Sequence, residues 1–320
     1  MSETSPWDGI GIPGADVTVR LVDGKTAVPC FWGRAPDETC LFIIELQGDH
    51  SAQFRKNVVI VNGVAVDLRG HDSGQQHLVL TLEKQVDLDL FAGLCRTLAS
   101  ALVHASDSAN ALTIALNHIR RWKNFLSGRS QRLSAEEIRG LFAELVFLLE
   151  LIDRKSAATA IDAWLGPERS HQDFIFGNTA VEVKSLSGTE RNTVRISSED
   201  QLESLNDALF LRIYRLSNLP DAVNARSLNE LVAAVLNQLE GTDFVQMFDR
   251  KLVEYGYVPL SDYDEPAFVI SGVATYFVQD EFPRLIRSLL PAGIINASYG
   301  IKLEVIAPYE CDGAAVFGDN

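Results

Sequence analysis

The chain has 320 residues, 47% apolar and 22% charged, an ordinary globular composition with room for two domains or for one core with appended parts. Its 43 acids against 28 bases leave a net charge of -15, so any grip on nucleic acid would need a local basic strip on an acidic body. No apolar run approaches the roughly 20 residues of a membrane span, residues 1–20 lack the n- and h-regions of a leader, and Cys30, Cys40, Cys95 and Cys311 have no C-x-x-C spacing. A disulfide framework or zinc site is therefore not expected, and a reducing cytoplasm is the expected location.

Residues 1–15 are polar with Gly and Pro and read as a loose arm, with Trp7 as its anchor. From 17 to 82 short β-branched and apolar runs (VTVRLV, CLFIIEL, NVVIVN, HLVLTL) alternate with turn residues, which predicts a small antiparallel β domain over 1–86. His71 and His77 flank a Gly-Gln loop and read as loop histidines more readily than as metal ligands. Helical periodicity over 88–105 and 109–126 predicts a connector spanning 87–132. The second helix ends in Arg120, Arg121, Lys123, Arg129 and Arg132, with Trp122 and Phe125 among them. These cations either suit the negative end of the helix or touch phosphates, Arg121 and Lys123 being the named candidates for nucleic-acid contact.

The third region, 133–218, carries the chemistry. Ser134 and Glu137 form a capping-box pattern, and Ile138, Leu141, Phe142, Leu145, Leu148, Leu149 and Ile152 make an apolar helical stripe. Glu144 falls at the margin of that stripe, where a carboxylate is costly unless it has a partner. A link over 157–169, with Trp164, Leu165 and Pro167 packing over a sheet, leads into SHQDFIFGNTAVEVK at 170–184. Its Gly177-Asn178 pair predicts a two-residue hairpin turn. Strand alternation then places Glu182 and Lys184 on one face, with Asp173 able to share it across the turn. His171 would lie near Asp173 as a base or ligand. A further strand over 193–197, a helix from 198 to 208 capped by Ser197 and Ser198, and a strand over 209–216 complete the order. Two adjacent carboxylates suit a hard divalent cation, and a neighbouring ammonium can orient a water and offset developing charge.

The acid, the nine-residue spacing and the E-x-K triplet resemble the PD-(D/E)XK, or restriction-endonuclease-like, nuclease superfamily. Asp173 matches the first acid, Glu182 the second, Lys184 the lysine, and Glu144 the additional acid on the preceding helix. Gln172 stands where that pattern has proline. The resemblance implies an α/β (α+β) fold with an αβββαβ core. It also implies a Mg²⁺-dependent DNA endonuclease (Mn²⁺ substituting), of the kind grouped with bacterial restriction and anti-phage proteins. In that picture Asp173, Glu182 and the Val183 carbonyl bind metal, Lys184 positions water, and Glu144 holds a water or a second ion. Gln201 resembles a glutamine found near such sites, and Arg195 is a phosphate-contact candidate. Partners implied are DNA, a second copy of the chain, or other defence proteins. The alternatives are a catalytically silent binding subunit of a defence complex, or an unrelated α/β protein whose three residues lie far apart.

Residues 219–320 show helices at 227–239 and 242–255, a strand at 268–278, a helix at 282–290 and a strand pair at 294–306. They form an α/β extension without an assignable motif.

Overall fold

The computed structural model of the protein describes residues 5–318 apart from 25, 72–73, 84–85, 127–131, 169, 189–191 and 295–296. The chain forms two compact units, one of residues 1–131 with 258–260, the other of 132–257 with 261–320.

The first unit holds β1 (Thr18–Leu21), β2 (Cys30–Arg34), β3 (Cys40–Gln47), α1 (Ser51–Asn57), β4 (Val64–His71), β5 (Gln75–Leu82), α2 (Leu88–Ala101) and α3 (Ser108–Leu126). Its strands pair antiparallel in the order β1-β2-β3-β5-β4. The central strand β3 is buried over most of its length, as its unbroken apolar run requires. Asp87 caps α2 by accepting from the Asp89 N–H, and α2 buries Phe91, Leu94, Cys95 and Leu98. Both helices over 87–126 thus belong to the same compact unit as the sheet. Trp7 is fully buried, stacks on Phe91 with ring centroids 5.2 Å apart, meets Trp32 edge-on at 5.0 Å, and donates its indole N–H to the Leu41 carbonyl at 2.8 Å. The arm is thereby pinned. Trp7→Ala is expected to destabilise this unit by about 3–5 kcal/mol, read as a lower midpoint in chemical denaturation.

The second unit opens with α4 (Ala135–Arg154) and α5 (Ala157–Ala163), followed by β6 (Phe174–Phe176), β7 (Thr179–Ser187), β8 (Thr193–Ile196) and β9 (Ala208–Asn218). It continues through α6 (Leu228–Leu239), α7 (Val245–Tyr255), β10 (Phe268–Phe277), β11 (Tyr299–Lys302), α8 (Leu303–Ile306) and β12 (Glu310–Cys311). Ser134 and Glu137 close the capping box at the start of α4. The β6–β7 hairpin turns at Gly177-Asn178, with Phe176 opposite Thr179 and Gly177 at φ +54°, the left-handed conformation glycine tolerates best. A mixed five-stranded sheet runs β12-β10-β9-β7-β6, with β7 and β9 parallel and the other pairs antiparallel. The strand at 268–277, from the C-terminal extension, therefore sits beside β9 in the same sheet. Leu186, Leu211, Ile213, Tyr276, Phe282 and Ile306 share one buried cluster.

Four elements differ from the sequence expectation. β8 leaves the main sheet and pairs antiparallel with β11 in a separate two-stranded sheet. The helix expected at 198–208 is a single 3₁₀ turn, Glu199–Leu202. Its continuation is blocked because the buried Gln172 amide donates to the carbonyls of Asp200 (2.9 Å), Glu203 (2.9 Å) and Gln201 (3.3 Å), acceptors that an α-helix would use itself. The helix expected at 282–290 is likewise a 3₁₀ turn, Arg287–Leu289, and the strand pair at 294–306 is β11 followed by the short α8. There the Leu285 N–H donates to the Tyr299 hydroxyl and the Arg287 N–H to Glu203, tertiary partners in place of a helical ladder.

Candidate active site

The hairpin register brings the E-x-K triplet and Asp173 together. Asp173 stands just before β6, and its Oδ2 accepts the Val183 N–H at 2.8 Å. On β7, Lys184 Nζ lies 2.7 Å from Glu182 Oε1 and donates to Gln201 Oε1 at 3.2 Å. Gln201 Oε1 also accepts the Ser197 N–H at 2.8 Å, so the glutamine bridges the β8 end to the lysine. Gln172 therefore has a definite task where the superfamily pattern has proline: it holds the turn that carries Gln201.

Glu144 reaches the same place from the buried face of α4. Its Oε2 accepts the Trp164 indole N–H at 2.8 Å, and its Oε1 accepts the Tyr255 hydroxyl at 3.2 Å. Gly166 lies against both acids. A methyl group there would sit 2.3 Å from Glu144 Oε2 and 3.3 Å from Asp173 Oδ1, so only glycine leaves these carboxylates room. The turn is also tied to Asp173 by the backbone, since the Leu165 and Gly166 N–H groups donate to its carbonyl at 2.7 and 3.1 Å.

The electrostatics follow from crowding acids in a poorly solvated corner. Burial, then the Asp173 charge, pushes the Glu182 carboxyl up to about 8 in spite of Lys184. Burial first and Asp173 second raise Glu144 well above the usual carboxylate range, against the pull of its two donors. Burial also raises Asp173, opposed by Lys184 and the Val183 N–H. Burial alone would lower the Lys184 ammonium, but Glu182 and Asp173 outweigh it and the net shift is upward.

A protonated Glu182 has a stability consequence. Its folded-state value near 8 against 4.5 for the free group means the folded chain binds the extra proton. That stabilisation is complete below about 4.5 and is lost as pH rises through about 8. In metal-free buffer, Glu182→Gln should therefore gain in melting temperature relative to the native chain as pH is raised across that window. A pH-independent difference between the two would show that Glu182 titrates normally.

A cleft of about 670 Å³ opens over this corner, lined among others by Glu144, Asp173, Val183, Lys184, Arg195, Gln201 and Tyr255. Glu182 is not part of that lining. It is fully buried behind it, and its Oε2 has neither a hydrogen bond nor an ion pair among the described residues. The strand face that carries Glu182 is thus buried at this position. Arg195 is exposed on the rim, where its Nε donates to Ser298 at 3.3 Å. His171 points away to solvent, with Nδ1 3.7 Å from Asp200 Oδ2. In the first unit, His77 faces Glu45 at 3.9 Å and the His71 side chain lies outside the described residues. Lys123 is exposed there, lining a groove with Lys56, Val58, Ile60 and Arg120. The Arg121 side chain and all of Arg129 lie outside the described residues, and Arg132 pairs with Asp262. Trp164, Gly166, Gln172 and Tyr255 were not legible as site residues in the sequence. Only Gln172 left a trace there, as the departure from proline.

The donors fit a divalent cation of the hard kind. All are oxygens, and Glu182 carries a buried oxygen with no donor, which a cation would satisfy. Among the described residues no group of three His, Cys, Asp or Glu side chains is spaced to hold an ion by itself. The fit is therefore to an ion taking one or two carboxylates and completing its shell with water and backbone or substrate oxygen, the habit of Mg²⁺.

A mixed sheet that brings an acid and an E-x-K triplet together across a hairpin, with a further acid from the preceding helix, has the pattern of the PD-(D/E)XK class. The sequence agrees over nearly its whole length: residues 4–304 match the family described as "Putative PD-(D/E)XK family member, (DUF4420)", and the chain belongs to that family. No curated protein and no solved structure matches the chain. No helix among the described residues is long and apolar enough to cross a membrane.

Proposed function

We propose that the protein is a metal-dependent DNA endonuclease of the restriction or anti-phage type. The observation that carries this reading is the meeting of Asp173, Glu182 and Lys184 beneath one cleft, with Glu144 across Gly166. Asp173, Glu182 and the Val183 carbonyl would hold Mg²⁺, or Mn²⁺ in its place, with Glu144 holding a bound water or a second ion. When bound, the ion supplies a more acidic water and charge stabilisation at the phosphoryl oxygens. Lys184, on the cleft wall between Glu182 and Gln201, orients the attacking water and offsets charge on the phosphate. Gln201 fixes Lys184 from its far side. Arg195, on the rim, is placed to contact the phosphodiester backbone. Arg121 and Lys123 are proposed as outlying backbone contacts. The αβββαβ core order is part of the same proposal, with β8 displaced and a 3₁₀ turn in place of its second helix. With one such candidate site described per chain, both strands would be cut most simply by a homodimer.

The test is incubation of supercoiled plasmid with the purified chain in Mg²⁺ or Mn²⁺. Nicked or linear product that disappears on chelation supports the proposal. A second reading is favoured by the Glu182–Lys184 pair and by the absence of Glu182 from the cleft lining. In it the chain is a catalytically silent binding subunit of a defence complex. No cutting under any metal, with stable co-purification of another defence protein, would support that reading instead.

A further inference from the structure

Glu144 differs from the other acids of the cleft in how it is held. It has no cation partner among the described residues, and both of its oxygens accept from neutral donors, Oε2 from the Trp164 indole and Oε1 from the Tyr255 hydroxyl. The two donors arrive from opposite parts of the unit. Trp164 ends α5, and Tyr255 ends α7, in the C-terminal extension. α7 also secures the other donor: the buried Lys251 donates to the Trp164 carbonyl and pairs with Glu168 at 2.7 Å, bracketing the turn that includes Gly166. Tyr255 itself lines the cleft.

We propose that Tyr255 and Trp164 are positioning residues that aim the Glu144 carboxylate at a divalent cation, so that the C-terminal extension is an integral part of the metal site. The inference rests on the metal site proposed above. The chemistry is specific. Each donor occupies one lone pair on one oxygen and fixes the plane of the carboxylate. Each leaves the second lone pair of that oxygen available. Because neither donor is charged, neither competes electrostatically with an incoming cation, as an arginine or lysine in the same place would. Glu182, by contrast, has the Lys184 ammonium 2.7 Å from its Oε1. Gly166 completes the arrangement by leaving no side chain between Glu144 and Asp173.

The experiment is a titration of the full chain with Mn²⁺ alone, free ion being followed by electron paramagnetic resonance, for the native chain, Tyr255→Phe and Trp164→Phe. Loss of one such outer hydrogen bond is expected to weaken Mn²⁺ binding by about 10–100-fold. Tyr257→Phe serves as the control, since Tyr257 donates to Asn229 away from the cleft, and should bind as the native chain does. In a Glu144→Gln background the Tyr255 substitution should add nothing, a result that a merely structural tyrosine would not give. If Trp164→Phe fails to fold by circular dichroism, Tyr255→Phe decides. Native binding with an unchanged Tyr255→Phe affinity overturns this inference and leaves the proposed function standing. Absence of Mn²⁺ binding by the native chain overturns both.

Discussion

Replacing Lys184 with alanine is expected to lower metal-dependent plasmid cleavage by about 10²–10⁴-fold while the protein stays folded. The lysine touches both Glu182 and the Gln201 side-chain amide oxygen, so its removal takes away the only ammonium among the described residues at this end of β7. It also leaves Glu182 fully buried without its ion-pair partner. Breaking a buried pair by deleting one member costs as much as about 3–5 kcal/mol when the survivor stays charged. Glu182, already raised to about 8, has a way out: it keeps its proton and the penalty shrinks at neutral pH and below. Lys184→Met, which preserves the length of the stem, should therefore be as inactive as the alanine variant and closer to native in melting temperature. Undiminished cleavage by either folded variant would remove Lys184 from the chemistry.

Replacing Arg212 with leucine is expected to lower stability by on the order of 3 kcal/mol. Arg212 on β9 is buried. Its guanidinium pairs with Glu150 of α4 at 2.6 Å, donates to the Tyr214 and Thr275 hydroxyls at 2.8 and 2.9 Å, and reaches the Gly313 carbonyl at 3.4 Å. One side chain thus joins α4, both central strands and the C-terminal turn. Glu150 is about one-third exposed, so its loss of partner is partly screened, which places the estimate at the low end for a buried pair. Burial raises the Glu150 carboxyl even with Arg212 beside it, and without Arg212 the rise is greater. A group raised in the folded state stabilises below its unfolded value, and that benefit is lost as pH climbs through the folded value. The destabilisation by Arg212→Leu should therefore grow as pH is raised from below the ordinary glutamate range toward neutrality. It should largely vanish when Glu150→Leu is added, because apolar groups of similar volume replace such pairs at little cost. Thermal unfolding of the two single variants and the double variant measures this. A double variant as unstable as Arg212→Leu would show that the hydroxyl and carbonyl contacts, rather than the ion pair, carry the effect.

The Arg212 network also shows where reading stops. Glu150 and Arg212 are 62 positions apart, and nothing in either neighbourhood marks them as partners. The hairpin at Gly177-Asn178, by contrast, needs only the residues beside it: a turn pair with a left-handed glycine and alternation on each side. The α4 start is equally local, since Ser134 and Glu137 cap each other. Glu144 stood out because a carboxylate in an apolar stripe needs a partner. Its partners did not stand out, because Trp164 and Tyr255 look like packing residues until the chain folds. The helix expected at 198–208 failed for a related reason. Its capping serine is real, but the distant Gln172 side chain takes the carbonyls that would have propagated it.

What the sequence by itself determined is the set of groups that arise from interactions between near neighbours: the capped helix, the tight hairpin, and the acid and E-x-K spacing that the hairpin converts into proximity. What only the tertiary structure decided is the environment of those groups. The pairing of β8 with β11, the entry of β10 into the main sheet, the burial of Glu182 and the arrival of Tyr255 beside Glu144 all depend on contacts between segments far apart in the chain. Such contacts form when apolar surface from many segments is buried at once, a collective outcome that no short stretch encodes.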